Sequence, residues 1–271
     1  MSTTLAAAPP RHVGDLLRDW RQRRRLSQLD LSNEATVSAR HLSFVETGRS
    51  KPSRELLLHL AEHLDVPLRE RNTLLLTAGY APVYPESPLD ADELAPVREA
   101  IDKILAGHEP FPAVVVDRRW DLVSANGAAL GLLAEDVDPA LLTNALRVSL
   151  HPDGLAPRIE NLAEYAEHLL SRLDRQIAAS GDRDLAAFAD ELRTYPGVPA
   201  VPATSHDTPS MLFVPLVLRT AAGERLTFFS TIATFGTALD ITVAELAIES
   251  FFPADEATAE ALRARWSPTP G

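Results

Sequence analysis

Cysteine is absent from this sequence of 271 residues, and its absence excludes several kinds of site at once. A chain without cysteine has no disulfide framework, no thiolate metal site and no cysteine nucleophile. The sequence also lacks any run of the roughly 18 to 20 apolar residues that a membrane-spanning helix requires. Its first residues, MSTTLAAAPPRH, have neither an early positive region nor a long apolar stretch, so no secretion signal is predicted. We therefore expect a cytoplasmic protein with no membrane partner and with a disordered leader over residues 1–11.

Motifs for catalysis and for cofactor binding are missing as well. The glycines are scattered, so no phosphate-binding loop is predicted. His59 and His63 have the i, i+4 spacing of metal ligands, but no third ligand accompanies them, and a surface pair is the simpler interpretation. The segment HPDG at 151–154 is typical of a turn, and His206-Asp207 is not joined to a recognisable serine motif. We predict no catalytic residue, no cofactor and no metal site, and hence no enzyme.

Positive charge is concentrated near the N-terminus. The formal net charge of the chain is −12, yet residues 11–71 contain 12 Arg and Lys against 9 Asp and Glu, whereas the other residues contain 14 against 29. A basic segment on an acidic body indicates that one end of the chain binds a polyanion while the other does not. A basic helical domain with no special purpose would show the same charge, so charge alone does not decide between the two.

The N-terminal part of the sequence predicts five short helices. Val13, Leu16, Leu17 and Trp20 follow the i, i+3, i+4, i+7 pattern of an amphipathic helix. Serines that suit N-caps, and a proline that suits a helix start, predict four more helices that begin at about residues 27, 38, 53 and 67. The segment YAPVYPESPLDAD that follows them contains three prolines and indicates a linker, which we place at residues 80–93.

Residues 94–266 predict an α+β domain with a helical insertion. The segments FPAVVVD and WDLVSA are typical of two strands joined by a tight turn, and Asn126 suits the N-cap of the next helix. Residues 158–180 and 182–194 are strongly helical. The segments MLFVPLVLRT, ERLTFFSTIATF and ELAIESFF predict three more strands, and Asp255 suits the start of a last helix. Two strands, a helical middle and three strands indicate a five-stranded antiparallel sheet.

Two of the N-terminal helices have the apolar spacing of a helix-turn-helix pair. With Leu42 and Val45 buried, the second helix presents an outward face suited to a DNA major groove, where Arg and His donate to guanine and Phe contacts a thymine methyl. The candidate base-contacting residues are Ala39, Arg40, His41, Ser43 and Phe44. The candidates for phosphate contacts, at helix N-termini and in the following loop, are Gln28, Ser38, Arg49 and Lys51. An alternative for Phe44 is packing on a neighbouring helix.

Over residues 12–79 the sequence resembles the lambda repressor-like, XRE-type helix-turn-helix family, because LSQLDL, VSARHLSFVETGRSKPS and LLLHLAEHLDVP occur in the family's order and spacing. The resemblance implies an all-α five-helix domain that binds a double-stranded DNA operator as a homodimer. It also implies that Glu46 holds a helix end by an internal ion pair. Two residues depart from the pattern, since Ser32 replaces a common buried Ala and Thr36 replaces a Gly. A β-branched residue is unfavourable at positive φ, so we expect this turn to differ slightly.

The segments DRRWDLVSAN and ESFFPADEAT resemble the MmyB-like ligand-binding domain that is found behind XRE-type domains, and the likeness spans about residues 94–265. It implies a PAS-like fold that binds a small lipophilic effector such as a fatty acid, and a transcriptional regulator as the whole. We therefore assign residues 12–79 to DNA binding, 94–266 to effector binding and dimerisation, and 267–271 to a tail.

Aromatic residues in the late strands and central helices allow an apolar pocket in the second domain. The candidate lining residues are Tyr165, Leu169, Phe188, Phe213, Phe228, Phe229 and Phe235. Candidate anchors for a polar head group are His168, Arg172 and Arg175, which nothing in the sequence distinguishes. The alternative is that these aromatics form ordinary core and that the domain is a ligand-free dimerisation or protein-docking module. An enzyme would require titratable residues that converge on such a pocket.

Overall fold

The computed structural model describes residues 11–134, 137–200 and 214–266. The chain divides into two units, of which the first runs to Glu86 and includes Leu239–Ile241, and the second contains the remainder. Residues 1–10 of the predicted leader, the predicted tail and the candidate pocket residue Phe213 lie outside the described residues. None of the helices in the described residues is long and apolar enough to cross a membrane.

The described part of the first unit contains five helices, as the sequence predicts. They are α1 (Val13–Arg23), α2 (Gln28–Glu34), α3 (Ala39–Glu46), α4 (Arg54–His63) and α5 (Leu68–Thr77). The side chains of Ser27, Ser38 and Ser53 cap α2, α3 and α4, because each accepts a hydrogen bond from a backbone N–H of the first turn. The apolar faces of the helices meet in one core, in which each fully buried leucine contributes about 2 kcal/mol by leaving water.

The turn between α2 and α3 corrects one expectation. Thr36 has a φ of 54°, in the left-handed region where glycine is common, so it adopts the conformation that we expected a β-branched residue to avoid. The conformation costs about 1 kcal/mol, which the packing of the flanking helices must offset. Ser32 is buried, and its hydroxyl donates to the carbonyl of Leu29 at 2.8 Å, so its polar group is satisfied inside the core.

A buried ion pair joins α1 to the end of α3. The side chain of Glu46 is fully buried, and Arg21 donates to both of its carboxylate oxygens, at 2.7 and 2.8 Å. Gln28 adds a donor at 2.7 Å, and Arg18 donates to the backbone carbonyl of Glu46 at 3.0 Å. The two helices approach closely because Gly14 has no side chain, and a Cβ there would lie 2.3 Å from a backbone oxygen of α3. The buried charge is therefore matched by donors, and the position of α3 is fixed.

The described part of the second unit contains a five-stranded antiparallel sheet, as predicted. Its strands are β1 (Ala113–Val116), β2 (Leu122–Ala125), β3 (Leu216–Arg219), β4 (Arg225–Thr234) and β5 (Ala247–Pro253). Their order in the sheet is β2-β1-β5-β4-β3. The last strand of the sequence thus lies in the middle, where it pairs with one strand of each hairpin.

The helices of the second unit are α6 (Ala95–His108), α7 (Gly127–Leu133), α8 (Ala145–Leu150), α9 (Leu162–Ser180), α10 (Arg183–Leu192) and α12 (Glu256–Trp266), and the one-turn helix α11 (Ile241–Ala244) precedes β5. The sequence does not predict α8 or α11. They contain six and four residues, which is too short for an apolar period of 3.6 to be recognised.

The sheet is apolar on both faces at β1, whose four residues are all buried. Val114 and Val116 belong to the larger core, with residues of α7, α9 and α10, whereas Ala113 and Val115 belong to a smaller core with residues of α6. Successive side chains of a strand point to opposite faces, so the continuous apolar run VVV reports a strand covered on both sides.

Asn126 begins α7, as predicted, and attaches it to β1. Its Oδ1 accepts from the backbone N–H groups of Ala113 and Ala129, both at 3.0 Å, and its Nδ2 donates to the carbonyl of Phe111 at 2.7 Å. The hydrogen-bonding groups of this buried amide are therefore all paired, and they position α7 against β1.

Replacement of Glu46 by Gln should destabilise the first unit by about 3 kcal/mol near neutral pH, because it leaves the guanidinium of Arg21 without its carboxylate. Burial raises the pKa of Glu46, but the hydrogen bonds from Arg21 and Gln28 outweigh it, and the net pKa lies below the ordinary value of 4.5. The stabilisation is therefore complete above about pH 4.5 and is lost as the pH falls through the lowered pKa.

Urea denaturation of the full chain at neutral and acidic pH measures this effect. The difference in stability between wild type and Glu46→Gln should narrow as the pH falls, and the matched control Glu62→Gln, at an exposed position of α4, should show little change at any pH. A difference that does not depend on pH would contradict the role of the ion pair.

Candidate functional site

Helix α3 has a buried stripe and an accessible face. Leu42 and Val45 are 1% and 0% exposed, as predicted. The candidate base-contacting residues lie outside this stripe, and each is exposed or half-buried, namely Ala39, Arg40, His41, Ser43 and Phe44. The core of the first unit thus holds α3 by one side and leaves the other side available to a partner.

Phe44 has a different environment from either expectation for it. The ring is half-buried, and the guanidinium groups of Arg40 and Arg49 lie over it at 5.4 and 6.0 Å from its centroid. The carbonyl of Phe44 accepts from the backbone N–H groups of Arg49 and Ser50, at 2.8 and 3.1 Å, which holds the loop after α3 against the helix. The ring therefore positions two cations on the surface, a contact worth about 0.5–1 kcal/mol each at exposed sites.

The cations of this surface have no acidic partner. No ion pair among the described residues involves Arg40, Arg49 or Lys51, whereas Arg18 and Arg21 both pair with Glu46. The ammonium of Lys51 instead lies 5.0 Å from the centroid of the Tyr80 ring. We call Arg40, His41, Phe44, Arg49 and Lys51 the α3 surface. Because its positive charge is not neutralised within the first unit, it can attract a polyanion.

The four phosphate candidates differ in how far their polar groups are already used. Arg49 and Lys51 are exposed. Ser38 accepts from the backbone N–H of His41 at 3.4 Å as the cap of α3, and it keeps its own hydroxyl proton for donation. Gln28 donates one amide N–H to the carboxylate of Glu46, so only the rest of its amide is free to bind a phosphate.

His59 and His63 form a surface pair on α4, with ring centroids 4.7 Å apart. Nε2 of His59 lies 2.7 Å from the carbonyl oxygen of Ala35, so this nitrogen carries a proton and cannot also bind a metal. Among the residues that the structure describes, no group of three or more His, Asp or Glu side chains is placed to hold a metal ion.

The second unit contains a cavity of about 80 Å³ against the inner face of its sheet. Most of its lining is apolar and comes from β1, β3, β4 and β5 and from helices α7, α8 and α9. Three of the candidate pocket residues line it, namely Tyr165, Leu169 and Phe228. The cavity is accordingly an apolar site between a sheet and helices.

Two polar groups of the lining are buried, on Tyr165 and Glu249, which are both 6% exposed, and the half-buried Ser149 contributes a third. The carboxylate of Glu249 accepts from the hydroxyl of Ser230 at 2.8 Å and lies 3.5 Å from a guanidinium nitrogen of Arg172. Arg172 also lies over the ring of Trp120, at 4.3 Å from its centroid. Burial, with the negative charge of Glu249, raises the pKa of Tyr165 above its ordinary value, so the phenol stays neutral.

Three other candidates are corrected, because they lie outside the cavity. Phe229 follows the inward Phe228 on β4, so it points to the opposite face, where it stacks on Phe252 at 5.3 Å. Phe235 packs against the smaller core. Phe188 is also outside the cavity lining, and its ring lies with its centroid 4.7 Å from the guanidinium of Arg147.

The three candidate head-group anchors are now distinguishable. Arg172 is half-buried and is the one that contacts the carboxylate in the cavity wall. His168 and Arg175 are both exposed. Although the residue as a whole is exposed, partial desolvation of its ring, together with the charges of Arg172 and Arg175, lowers the pKa of His168.

Sequence reasoning missed Trp120 and Glu249. Trp120 has a φ of 67°, which the tight turn between β1 and β2 imposes, and this turn carries the indole to the cavity. Glu249 had a signal in the sequence, since it is an acidic residue inside the apolar segment ELAIESFF. Central strands rarely bury an unpaired charge, so such a residue indicates either a partner or a site.

Two family models match the chain. The model described as the MmyB-like transcription regulator ligand binding domain matches residues 97–264, and a helix-turn-helix domain model matches residues 12–74. The transcriptional regulator ClgR, from two strains of Mycobacterium tuberculosis, is 37% identical over 75 residues, which cover 28% of this chain and 64% of each relative. The match thus spans less than two thirds of those relatives.

One solved structure aligns with most of the chain but only loosely. It is an RNA-binding light-oxygen-voltage receptor, of which 64% aligns with 94% of this chain at 14% identity and a TM-score of 0.28. A TM-score this low establishes neither a shared fold nor a shared function.

Proposed function

Because this chain belongs to the family of MmyB-like transcription regulator ligand-binding domains and has a helix-turn-helix domain before it, we propose that it binds an operator through α3 and is controlled by a small lipophilic effector in the cavity. The families are those of transcription regulators and not of enzymes. The observation that carries the proposal is the pairing of an unneutralised cationic α3 surface with an apolar cavity.

The proposed base contacts follow from the chemistry of the α3 surface. Arg40 and His41 are exposed and can donate to guanine N7 or O6, while Ala39 and Ser43 lie on the same helix at less exposed positions. Phe44 supports Arg40 and Arg49 from below, so it acts by holding two donors as well as by contact with a thymine methyl.

The proposed phosphate contacts flank this helix. Lys51 and Arg49 lie in the loop after α3, and Ser38 lies at its N-terminus, where backbone N–H groups and the helix dipole favour an anion. Gln28 contributes at the start of α2 through the part of its amide that Glu46 does not use. Such contacts set the register of a protein on DNA without reading its sequence.

The proposed effector is a small lipophilic molecule, for which the fatty-acid class is the expectation from the family resemblance. The apolar lining supports a lipophilic ligand. We also propose that the protein acts as a homodimer on a partly palindromic operator, as members of the helix-turn-helix class commonly do. An effector can change operator affinity only if it binds the DNA-competent and incompetent arrangements differently.

Replacement of Arg40 by Ala should relax discrimination at one or two base positions, with a loss of about 1–3 kcal/mol on the operator and little loss on random DNA. The matched variant Arg40→Lys keeps the charge and removes the bidentate geometry, so it should lose discrimination too. Selection of binding sequences followed by fluorescence anisotropy measures both. Equal losses on operator and random DNA would remove Arg40 from the base contacts.

Replacement of Lys51 by Ala should weaken operator and random DNA alike and reduce the slope of log K against log salt by about 1, because one phosphate contact is lost. Titrations at several salt concentrations give this slope. Lys103→Ala, which removes a lysine of the second unit, is the control and should leave the slope unchanged. An unchanged slope for Lys51→Ala would exclude it from the phosphate contacts.

Native mass spectrometry of the purified chain should report a dimer with a retained small molecule, and extraction of that molecule should change operator affinity about 5- to 150-fold. Ala129→Leu places a larger side chain in the cavity wall and should abolish both retention and the change. Ala178→Leu, at an exposed position of α9, is the matched control. If neither extraction of the small molecule nor Ala129→Leu changes operator affinity, the result would instead favour a ligand-free dimerisation or docking module.

A further inference from the structure

Polar side chains interrupt the apolar lining of the cavity, and their chemistry restricts the effector that we propose for it. Among the described lining residues, Glu249 is the one with a charged side chain. The hydroxyl of Ser230 donates to its Oε1 at 2.8 Å, and Nη1 of Arg172 lies 3.5 Å from its Oε2. Both contacts stabilise a negative charge on this carboxylate, and the long second contact leaves Oε2 with capacity for a further donor.

Another polar group of the lining is the hydroxyl of Tyr165. The residue is 6% exposed, and its hydroxyl has no hydrogen-bond partner among the described residues. The hydroxyl faces the accessible space of the cavity, where it can form a hydrogen bond with a ligand. Tyr165 and Glu249 line the same cavity, and the charges of Glu249 and Arg172 both act on the Tyr165 phenol.

Arg172 is not available to the ligand in the same way. It is absent from the cavity lining, its guanidinium lies over the Trp120 ring, and its nearest anion is Glu249. The described lining therefore offers an acceptor with negative charge, a neutral phenol and the hydroxyl of Ser149, and it offers no free cation.

We propose that the cavity selects an uncharged apolar molecule that carries a hydroxyl group, whose O–H donates to Glu249 and whose oxygen accepts from the hydroxyl of Tyr165. A carboxylate in the same place would bring a second negative charge next to a buried one, and like charges repel strongly where water is excluded. The proposal rests on the effector site proposed above, and it replaces a fatty acid by a fatty or cyclic alcohol.

The size of the cavity guides the choice of probes. At about 80 Å³ it is smaller than an engineered apolar cavity of roughly 150 Å³ that binds benzene, but it is open on one side, so a chain can extend out of it. Short chains are therefore the suitable probes, and hexan-1-ol, hexanoate and methyl hexanoate differ in their polar groups. The alcohol has a donor and no charge, the carboxylate has a charge and no donor, and the ester has neither.

Isothermal titration calorimetry of the full chain near neutral pH compares the three probes. Hexan-1-ol should bind at least about tenfold more tightly than hexanoate or methyl hexanoate, since it alone can donate to a buried carboxylate. Glu249→Gln removes the charge and should reduce the preference for alcohol over carboxylate severalfold. Tyr165→Phe should weaken the alcohol severalfold. Glu191→Gln is the matched control, because Glu191 pairs with Arg147 and does not line the cavity, and it should keep the wild-type preference.

Two results overturn the inference while the effector site stands, namely hexanoate or the ester binding as tightly as the alcohol, and a preference unchanged in a folded Glu249→Gln. If that variant fails to fold, the wild-type ranking and Tyr165→Phe decide. If none of the three probes binds to wild type, and longer alcohols and carboxylates also fail to bind, the effector site proposed above is itself wrong.

Discussion

The first unit depends on one electrostatic requirement, which is that the fully buried carboxylate of Glu46 must be matched by donors. Arg21 supplies two of them from α1, and Gln28 supplies another from α2. These donors come from α1 and α2 and bind Glu46, the last residue of α3. They therefore hold α2, α3 and the turn between them against α1 in one arrangement. The α3 surface is therefore oriented by the hydrogen bonds that hold Glu46 at the buried end of α3.

Glu249 in the second unit provides an instructive comparison. It is also a buried acid beside an arginine, but its donors are a serine at 2.8 Å and a guanidinium nitrogen at 3.5 Å, whereas those of Glu46 all lie at 2.7 to 2.8 Å. A carboxylate whose oxygens are fully used has a structural role, since nothing else can approach it. A carboxylate with unused capacity that faces a cavity is available for binding. A buried glutamate thus has a structural role in the first unit and a proposed ligand-binding role in the second. The number of hydrogen bonds that its carboxylate already accepts distinguishes the two roles.

Much of this arrangement follows from sequence patterns, and the exceptions have physical reasons. Caps such as Ser38 and Asn126, the five helices and the sheet are local features, and local spacing predicts them. The residues that line the cavity are harder to predict, because aromatic content does not reveal which face of a strand a residue occupies. Strand alternation separates the inward Phe228 from Phe229, but it applies only once the register of β4 is known.

The surroundings of Trp120 depend on long-range packing, and those of Phe44 depend on the conformation of the loop after α3. The contact between Trp120 and Arg172 joins a turn to a helix more than fifty residues later, and no local pattern encodes it. Phe44 lies close in sequence to Arg40 and Arg49, yet the stacking of both guanidinium groups on one ring depends on how the loop after α3 folds back.

The small volume of the cavity bears on how an effector could act at all. A ligand that exceeds this space of about 80 Å³ must either extend through the open side of the cavity or displace the helices and the sheet around it. Only a ligand that displaces them prefers a changed form over the form described, and a preference between two forms is the requirement for control at a second site. A cavity that fitted its ligand without change would bind it well and transmit nothing. In this cavity the polar groups of Tyr165 and Glu249 can stabilise a bound ligand, and displacement of the apolar wall would connect binding to a change in structure.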